Sequence, residues 1–244
     1  MATVLVTRPQ PEADRTAAAV AALGHDVLID PLMTVEYLDE ALPPPATVRA
    51  YLVTSVNGVR ALARLGADRT RPTYAVGDRT AAAAAAAGFG AVRSAAGDAA
   101  DLVRLVAAEV GPEDGLLLHA AGEEVAGDPA AALVAQGFAA RRLALYRTVA
   151  AGALLPGVRD ALAAGGISHV LLFSPRSART FVNLAVQGGA DLAAVSALCL
   201  SPAVAGALEQ EARSPPQPMF RHVAVAARPN QAALLDLLGL EPGA

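Results

Sequence analysis

Short apolar runs and alanine-rich amphipathic stretches take turns along this chain. "TVLVT" at residues 3–7 is followed by a helical pattern from Pro11 to Leu23 that Gly24 closes, and then by "HDVLI" at 25–29. Strand and helix signals in alternation predict βαβ units and parallel sheets, because a strand returning parallel to its neighbour needs a crossover. Four such units follow in order: "YLVTSVNGVRAL" from Tyr51, "YAVGDRTAAAAAAAG" from Tyr74, "AVRSAAGDAADLVRLVAAEV" from Ala91 and "GLLLHAAGEEVAGDPAAALVAQG" from Gly115.

After residue 165 the first three units recur. "HVLLFSPRSARTF" from His169 matches the first, "LCLSPAVAGALEQEA" from Leu198 the second, and "HVAVAARPNQAALLDLLGL" from His222 the third. The fourth has no counterpart at the C-terminal end, but "VLVTRPQPEADRTAAAVAALG" at 4–24 has its form: strand, polar loop, alanine-rich helix, glycine stop. A sheet short of one βα unit would expose its core, so residues 1–31 are expected to complete the second copy. The expectation is an α/β protein of two doubly wound parallel-sheet lobes, one discontinuous (1–31 and 152–244) and one inserted (40–142). Segments 32–39 and 143–151, apolar-alternating and therefore extended, would connect them as a two-strand hinge. "LPPPA" at 42–46 marks entry to the inserted lobe, because consecutive prolines continue neither helix nor strand.

Composition narrows the chemistry. With 54% hydrophobic and 17% charged residues over 244 positions, the chain can bury sizeable cores and is not disordered. All 19 basic residues are arginine. Without lysine there is no lysine Schiff base, no pyridoxal-phosphate anchor and no lysine-bearing phosphate loop. A net charge of −4 argues against general nucleic-acid binding, which needs a basic face to displace counterions. His25, His119, His169 and His222 lie far apart and lack paired spacing with Cys199, so no metal site is expected. Cys199, the only cysteine, sits in an apolar strand and reads as a core thiol. No secretory signal is visible at Met1, and the most apolar segment, Ala81 to Val92, falls short of the about 18–20 residues that span a bilayer. A cytoplasmic protein without a membrane span is expected.

In doubly wound lobes the carboxyl ends of the strands lead into helix N-termini, where unpaired N–H groups and the helix dipole favour anions. Ser55, Ser174 and Ser201 each follow an apolar run at such a place. They read either as helix N-caps, worth about 1 kcal/mol each, or as part of an anion-binding surface.

The layout and six segments together resemble the uroporphyrinogen-III synthase family: "VLVTRP" at 4–9, "VTSVNGVRAL" at 53–62, "YAVGDRTA" at 74–81, "LALYRT" at 143–148, "LLFSPRSARTF" at 171–181 and "VAVAARPNQAALL" at 223–235. The resemblance covers almost the whole chain and implies two flavodoxin-like lobes. It also implies an enzyme that cyclises hydroxymethylbilane, a linear tetrapyrrole with eight carboxylates, to uroporphyrinogen III, losing water and inverting the last pyrrole ring. It implies no cofactor, no nucleic-acid or membrane partner, and a monomer that touches the preceding pathway enzyme at most transiently. By the resemblance, the family's tyrosine near the second crossing falls on Tyr146, a candidate general acid, since a phenol of pKa about 10 stays protonated at neutral pH; a packing role at the hinge is the other reading. Arg8 corresponds to the family's "TRP" arginine, a carboxylate clamp or a salt-bridge partner. Thr80 matches a threonine at the start of a helix, either binding substrate or serving the first helical turn, and Ser55, Asn57, Gly77, Ser174 and Ser201 fall on loops that would line the substrate cleft.

Two departures stand out. Ala203 and Val204 occupy positions where many relatives carry threonines, and Glu123 and Glu124 fall where relatives often place arginine and would repel a carboxylate. Rival readings are a two-lobed binding or regulatory relative without catalysis and a nucleotide-dependent doubly wound enzyme. A binding protein of the periplasmic type is usually exported; the nucleotide-dependent reading lacks a G-x-G-x-x-G after any strand.

Overall fold

The computed structural model describes residues 1–125, 127–211 and 220–239. Its elements run β1 (Thr3–Val6), α1 (Glu12–Ala22), β2 (Asp26–Ile29), β3 (Met33–Tyr37), a 3-10 turn (Pro45–Thr47), β4 (Val48–Val53), α2 (Val56–Arg64), β5 (Thr73–Ala75), α3 (Asp78–Ala86), β6 (Val92–Ser94), α4 (Ala99–Glu109) and β7 (Leu116–Gly122). They continue with α5 (Pro129–Val134), β8 (Ala140–Ala150), α6 (Pro156–Ala163), β9 (His169–Leu172), α7 (Pro175–Gln187), β10 (Ser196–Cys199), α8 (Pro202–Glu211), β11 (His222–Val225), α9 (Gln231–Leu235) and a closing 3-10 turn (Asp236–Gly239). Ala212 and Leu240, the ends of two segments read from the sequence, lie outside the described residues.

Two sheets result. The first has the order β11-β10-β9-β1-β2, and all its pairings are parallel. The second has the order β3-β8-β7-β4-β5-β6, parallel from β8 to β6. The repeat is visible in this order. From β4, strands β5 and β6 lie to one side and β7 and β8 to the other; from β9, strands β10 and β11 lie to one side and β1 and β2 to the other. Strand β1 thus holds beside β9 the place that β7 holds beside β4, and the α/β doubly wound class read from the sequence is the class observed. The chain divides into two compact units, Met1–Thr34 with Val149–Ala244, and Val35–Thr148. Both segments expected to be connecting strands are hydrogen-bonded into the second sheet, as β3 and β8.

The strands read as unbroken apolar runs because helices cover both faces of each sheet. In the first sheet Leu5, Val170, Leu172, Ala197 and Cys199 pack against residues of α6, α7 and α8, while Val4, Val6, Leu171 and Leu198 pack against α1 and α9. In the second, Tyr51, Val53, Leu118 and Ala120 meet α2 and α3, and Ala50, Leu52 and Leu117 meet α4 and α5. A fully buried leucine such as Leu5 or Leu52 contributes about 1.5–3 kcal/mol relative to an exposed one. Gly24, at φ +84°, ends α1 in the left-handed conformation that glycine adopts without steric cost.

One element has no counterpart in the sequence reading. Helix α6 starts with Pro156 in its first turn and buries Val158 and Leu162 in the core of the first unit, where the equivalent stretch before β4 makes only a 3-10 turn. It is anchored by Asp30, 2% exposed, whose Oδ2 accepts a 2.8 Å hydrogen bond from the Leu155 backbone N–H. Burial raises the Asp30 carboxyl pKa and that hydrogen bond partly offsets the rise. Cys199 is wholly buried, and burial pushes its thiol up to about 12. No helix among the described residues is long and apolar enough to cross a membrane.

Candidate active site

At the carboxyl ends of the second sheet's strands a cavity of about 520 Å³ opens, lined by Thr54, Ser55, Val76, Asp98, Glu124 and Tyr146 among others. Its centre is a pair of hydroxyls. Ser55, in extended conformation just after β4, caps α2: its Oγ accepts the Gly58 backbone N–H at 3.1 Å. The same Oγ lies 2.7 Å from Tyr146 Oη on β8.

Two glycines make that approach feasible. A Cβ on Gly58 would lie 2.5 Å from the Ala120 carbonyl oxygen, so only glycine lets the first turn of α2 close onto β7. Gly122, the register partner of Tyr146, faces the phenol ring itself: a Cβ there would meet Cε2 at 2.9 Å and Cζ at 3.0 Å. The ladder shifts register between Ala121 and Gly122, and the Glu123 N–H returns to the Tyr146 carbonyl at 2.9 Å, fixing the backbone on both sides of the ring.

The remaining polar walls are acidic. Asp98 caps α4 in a capping box with Asp101, and backbone hydrogen bonds from Asp101 and Ala100 hold its carboxyl below the usual carboxylate range. Glu124 faces the cavity from the loop after β7. Behind Thr54 sits His119 of β7, fully buried, its Nε2 3.3 Å from Thr54 Oγ1 and its Nδ1 3.6 Å from Asp128 Oδ1. Burial, outweighing the pull of Asp128, lowers the imidazole from 6.5 to about 4, so the ring is neutral near pH 7. Thr54, Asp98 and His119 were not singled out as site residues in the sequence. His119 is embedded in the apolar run "LLLHAA" and carries no spacing signal; the capping pattern "GDAAD" was the only available cue to Asp98.

The other sequence candidates distribute as follows. Gly77 is the N-cap of α3, next to the cavity-lining Val76. Neither Asn57 nor Thr80 is among the described residues lining the cavity: the Asn57 Oδ1 accepts a 3.3 Å hydrogen bond from Arg60, and Thr80 is buried in the first turn of α3. Arg8, Ser174 and Ser201 belong to the first unit, following β1, β9 and β10, three adjacent strands of one parallel sheet. The Arg8 Nη1 donates to Gln231 Oε1 at 3.1 Å and Thr16 Oγ1 at 3.3 Å, and its guanidinium stacks 4.4 Å over the Phe173 ring centre. Ser174 caps α7, accepting the Ser177 N–H at 3.1 Å, and the Ser201 carbonyl accepts the Val204 N–H at 3.0 Å. Val204 is 1% exposed and packs in the core.

Two parallel-sheet α/β units of like strand order, with a hydroxyl pair at the strand ends of one, define a two-unit doubly wound protein of the kind that binds ligands where strands pass into helices. A family model described as uroporphyrinogen-III synthase HemD matches residues 14–236, and the chain belongs to that family, whose place is in porphyrin and heme biosynthesis. Among solved structures, the uroporphyrinogen-III synthetase of Helicobacter pylori 26695 superposes with a TM-score of 0.66 at 18% identity, covering 99% of this chain and 100% of that one. A mutant uroporphyrinogen III synthase from the extremely thermophilic bacterium Thermus thermophilus gives 0.51 at 18% identity, with 98% of each chain covered. At that identity the likeness is one of fold. A comparison with curated proteins returns no match.

Proposed function

We propose that this protein converts hydroxymethylbilane to uroporphyrinogen III, with loss of water and inversion of the last pyrrole ring. Beyond family membership, the observation that carries the reading is the 2.7 Å contact of Ser55 Oγ with Tyr146 Oη on the wall of a cavity. Either hydroxyl can donate across this contact; in the reactive arrangement the Ser55 proton goes to the Tyr146 oxygen, while Ser55 Oγ accepts the Gly58 N–H, and the phenol proton is left for the cavity. There Tyr146 protonates the departing hydroxyl of the bilane; water leaves, the azafulvenium cation remains, and the Ser55 hydroxyl, itself held by the Gly58 N–H, donates to the phenolate. The proton lost when the macrocycle closes restores the phenol.

The acidic lining divides the labour. Asp98 and Glu124 repel the substrate's carboxylates and favour the electron-poor azafulvene and the pyrrole N–H groups. The carboxylates then fall to donors elsewhere, with Arg8, Ser174 and Ser201 as candidates on the first unit and Asn57, Gly77 and Thr80 on the second. Most of the catalysis is positioning of a flexible chain so that closure follows inversion. The reaction needs no redox step. A cytoplasmic, monomeric enzyme handed its unstable substrate by a transient contact with the preceding enzyme completes the proposal.

The test supplies freshly made hydroxymethylbilane, oxidises the product and separates isomers chromatographically. Isomer III is expected; isomer I alone, at the spontaneous rate, sinks the reading.

A further inference from the structure

The imidazole of His119 takes no part in the reaction as written, yet it is fully buried directly behind the cavity wall. Its register partners are Leu52 on β4 and Arg142 on β8. Among the described residues three groups face it: the Thr54 hydroxyl at Nε2, the Asp128 carboxylate 3.6 Å from Nδ1, and Arg142, whose Nε lies 3.6 Å from the other Asp128 oxygen. Asp128 is itself immobilised as the N-cap of α5, its Oδ1 accepting the Ala130 and Ala131 N–H groups at 3.1 and 3.2 Å.

The charge around this cluster favours one arrangement of protons. No hydrogen bond joins Nδ1 to Asp128 at 3.6 Å, but the carboxylate attracts the ring proton to that nitrogen, and Nε2 then presents a bare lone pair to Thr54. The partner of that lone pair is the Thr54 hydroxyl, which has a single proton to give. Once it is given to Nε2, Thr54 can meet a ligand in the cavity only as an acceptor. Threonine's branched Cβ restricts the rotation that would undo this.

We propose that His119 is a positioning residue: through Nε2 it holds the Thr54 hydroxyl with its lone pairs toward the cavity, making Thr54 an acceptor for an N–H donor of the ligand, of the pyrrole type. The ligand's identity rests on the function proposed above; the hydrogen-bond polarity does not. The role is geometric rather than acid–base, because the ring stays neutral across the ordinary working range. It also fits the acceptor character that Asp98 and Glu124 give the rest of the wall.

Nitrogen-15 NMR of the wild-type protein at pH 7 tests the polarity without any substrate, with His119 assigned by comparison with His119→Gln. A neutral ring protonated at Nδ1 is expected, and Thr54→Val, which deletes the hydroxyl while keeping the shape, should shift the Nε2 resonance. An Nε2–H tautomer, or an Nε2 signal indifferent to Thr54→Val, overturns the proposal. Kinetics with hydroxymethylbilane test the consequence: Thr54→Val should raise KM about 10-fold and change kcat by less than about threefold, the scale of one lost hydrogen bond felt equally by substrate and transition state. Thr54→Ser should restore KM to within about threefold, and His119→Gln added to Thr54→Val should cost little more than Thr54→Val alone. Independent, additive losses would make His119 a residue of the core only and overturn its action through Thr54. A wild-type protein that makes no isomer III refutes the proposed reaction, and the NMR result then decides the hydrogen-bond polarity by itself.

Discussion

Ser55 and Tyr146, 91 residues apart in sequence, share a 2.7 Å hydrogen bond, and the serine oxygen is at the same time the cap of α2. Helix geometry and phenol orientation are therefore set by one atom. Replacing Tyr146 with phenylalanine keeps the ring against Gly122 and removes only the hydroxyl, so the melting temperature should move by no more than the loss of one partly exposed hydrogen bond, about 1 kcal/mol. Turnover to isomer III should fall about 10²-fold or more, the scale of a lost general acid, with isomer I rising as a share of the residue. Wild-type turnover in isomer-resolved chromatography would reduce Tyr146 to packing.

Gly122→Ala attacks the same geometry from behind. The new methyl would stand about 3 Å from the phenol carbons, inside van der Waals contact, so the ring must swing away from Ser55. A loss of about 1–3 kcal/mol in urea unfolding is expected, as for other overpacked sites, together with a drop in turnover that Gly122→Ala/Tyr146→Phe does not deepen. Additive losses in the double variant would show that the glycine serves something other than the ring.

The His119 ring titrates near 6.5 in an unfolded chain and at about 4 in the fold. Above pH 6.5 neither form is charged and the group is silent. As pH falls, the unfolded chain takes up the proton first, so stability declines from about pH 6.5 and levels off below about 4, a loss of about 3 kcal/mol in all. His119→Gln should flatten that part of the stability–pH curve measured by denaturant titration. A curve with the same slope in both proteins would place the ring's titration elsewhere.

Cys199, buried in β10 with its thiol pushed up to about 12, should be inert to thiol reagents in the folded protein. Labelling followed by mass spectrometry should appear only in denaturant. Rapid modification of the native protein at pH 8 would contradict the burial.

The unit Val35–Thr148 contains its own sheet and covering helices, whereas the other unit draws on both parts of the chain. An excised fragment of residues 35–148 should unfold cooperatively in circular dichroism, and deletion of residues 1–31 should cost the first sheet β1 and β2 and bare one side of β9. A cooperatively folded deletion variant with an intact first unit would defeat this expectation.

Sequence alone was most informative where physics is local or repeated. Apolar runs, glycine stops and the recurrence of three βα units were enough to read the doubly wound class. Helix α6 escaped because no repeated partner announces it; its first proline and the Gly165–Gly166 pair after it were visible, but the matching stretch "LPPPA" reads as a break. For the candidate site the sequence offered residues but not contacts. Ser55 and Tyr146 came from the resemblance, while their hydrogen bond depends on the register of β8 against β7 and on two glycines whose role is to be small. The association of Thr54, His119 and Asp128 arises from strand pairing and a helix cap, neither of which leaves a fixed spacing in the chain.

Strand β1 lies between β2 and β9, and the Thr7 hydroxyl just beyond it donates to the Leu171 carbonyl, 164 residues later in the chain. On a ribosome adding about 5–20 residues per second, roughly 8–30 seconds separate the emergence of those two residues. Throughout that interval one edge of the first strand has no partner, while the unit of residues 35–148 is already long enough to close its own sheet. A segment made well before its partner is thus secured late. A nascent chain long enough to release residues 35–148 but not 169 should display that unit folded while β1, paired with β2 alone, still offers a bare apolar edge, the form in which a ribosome-bound chaperone would meet it.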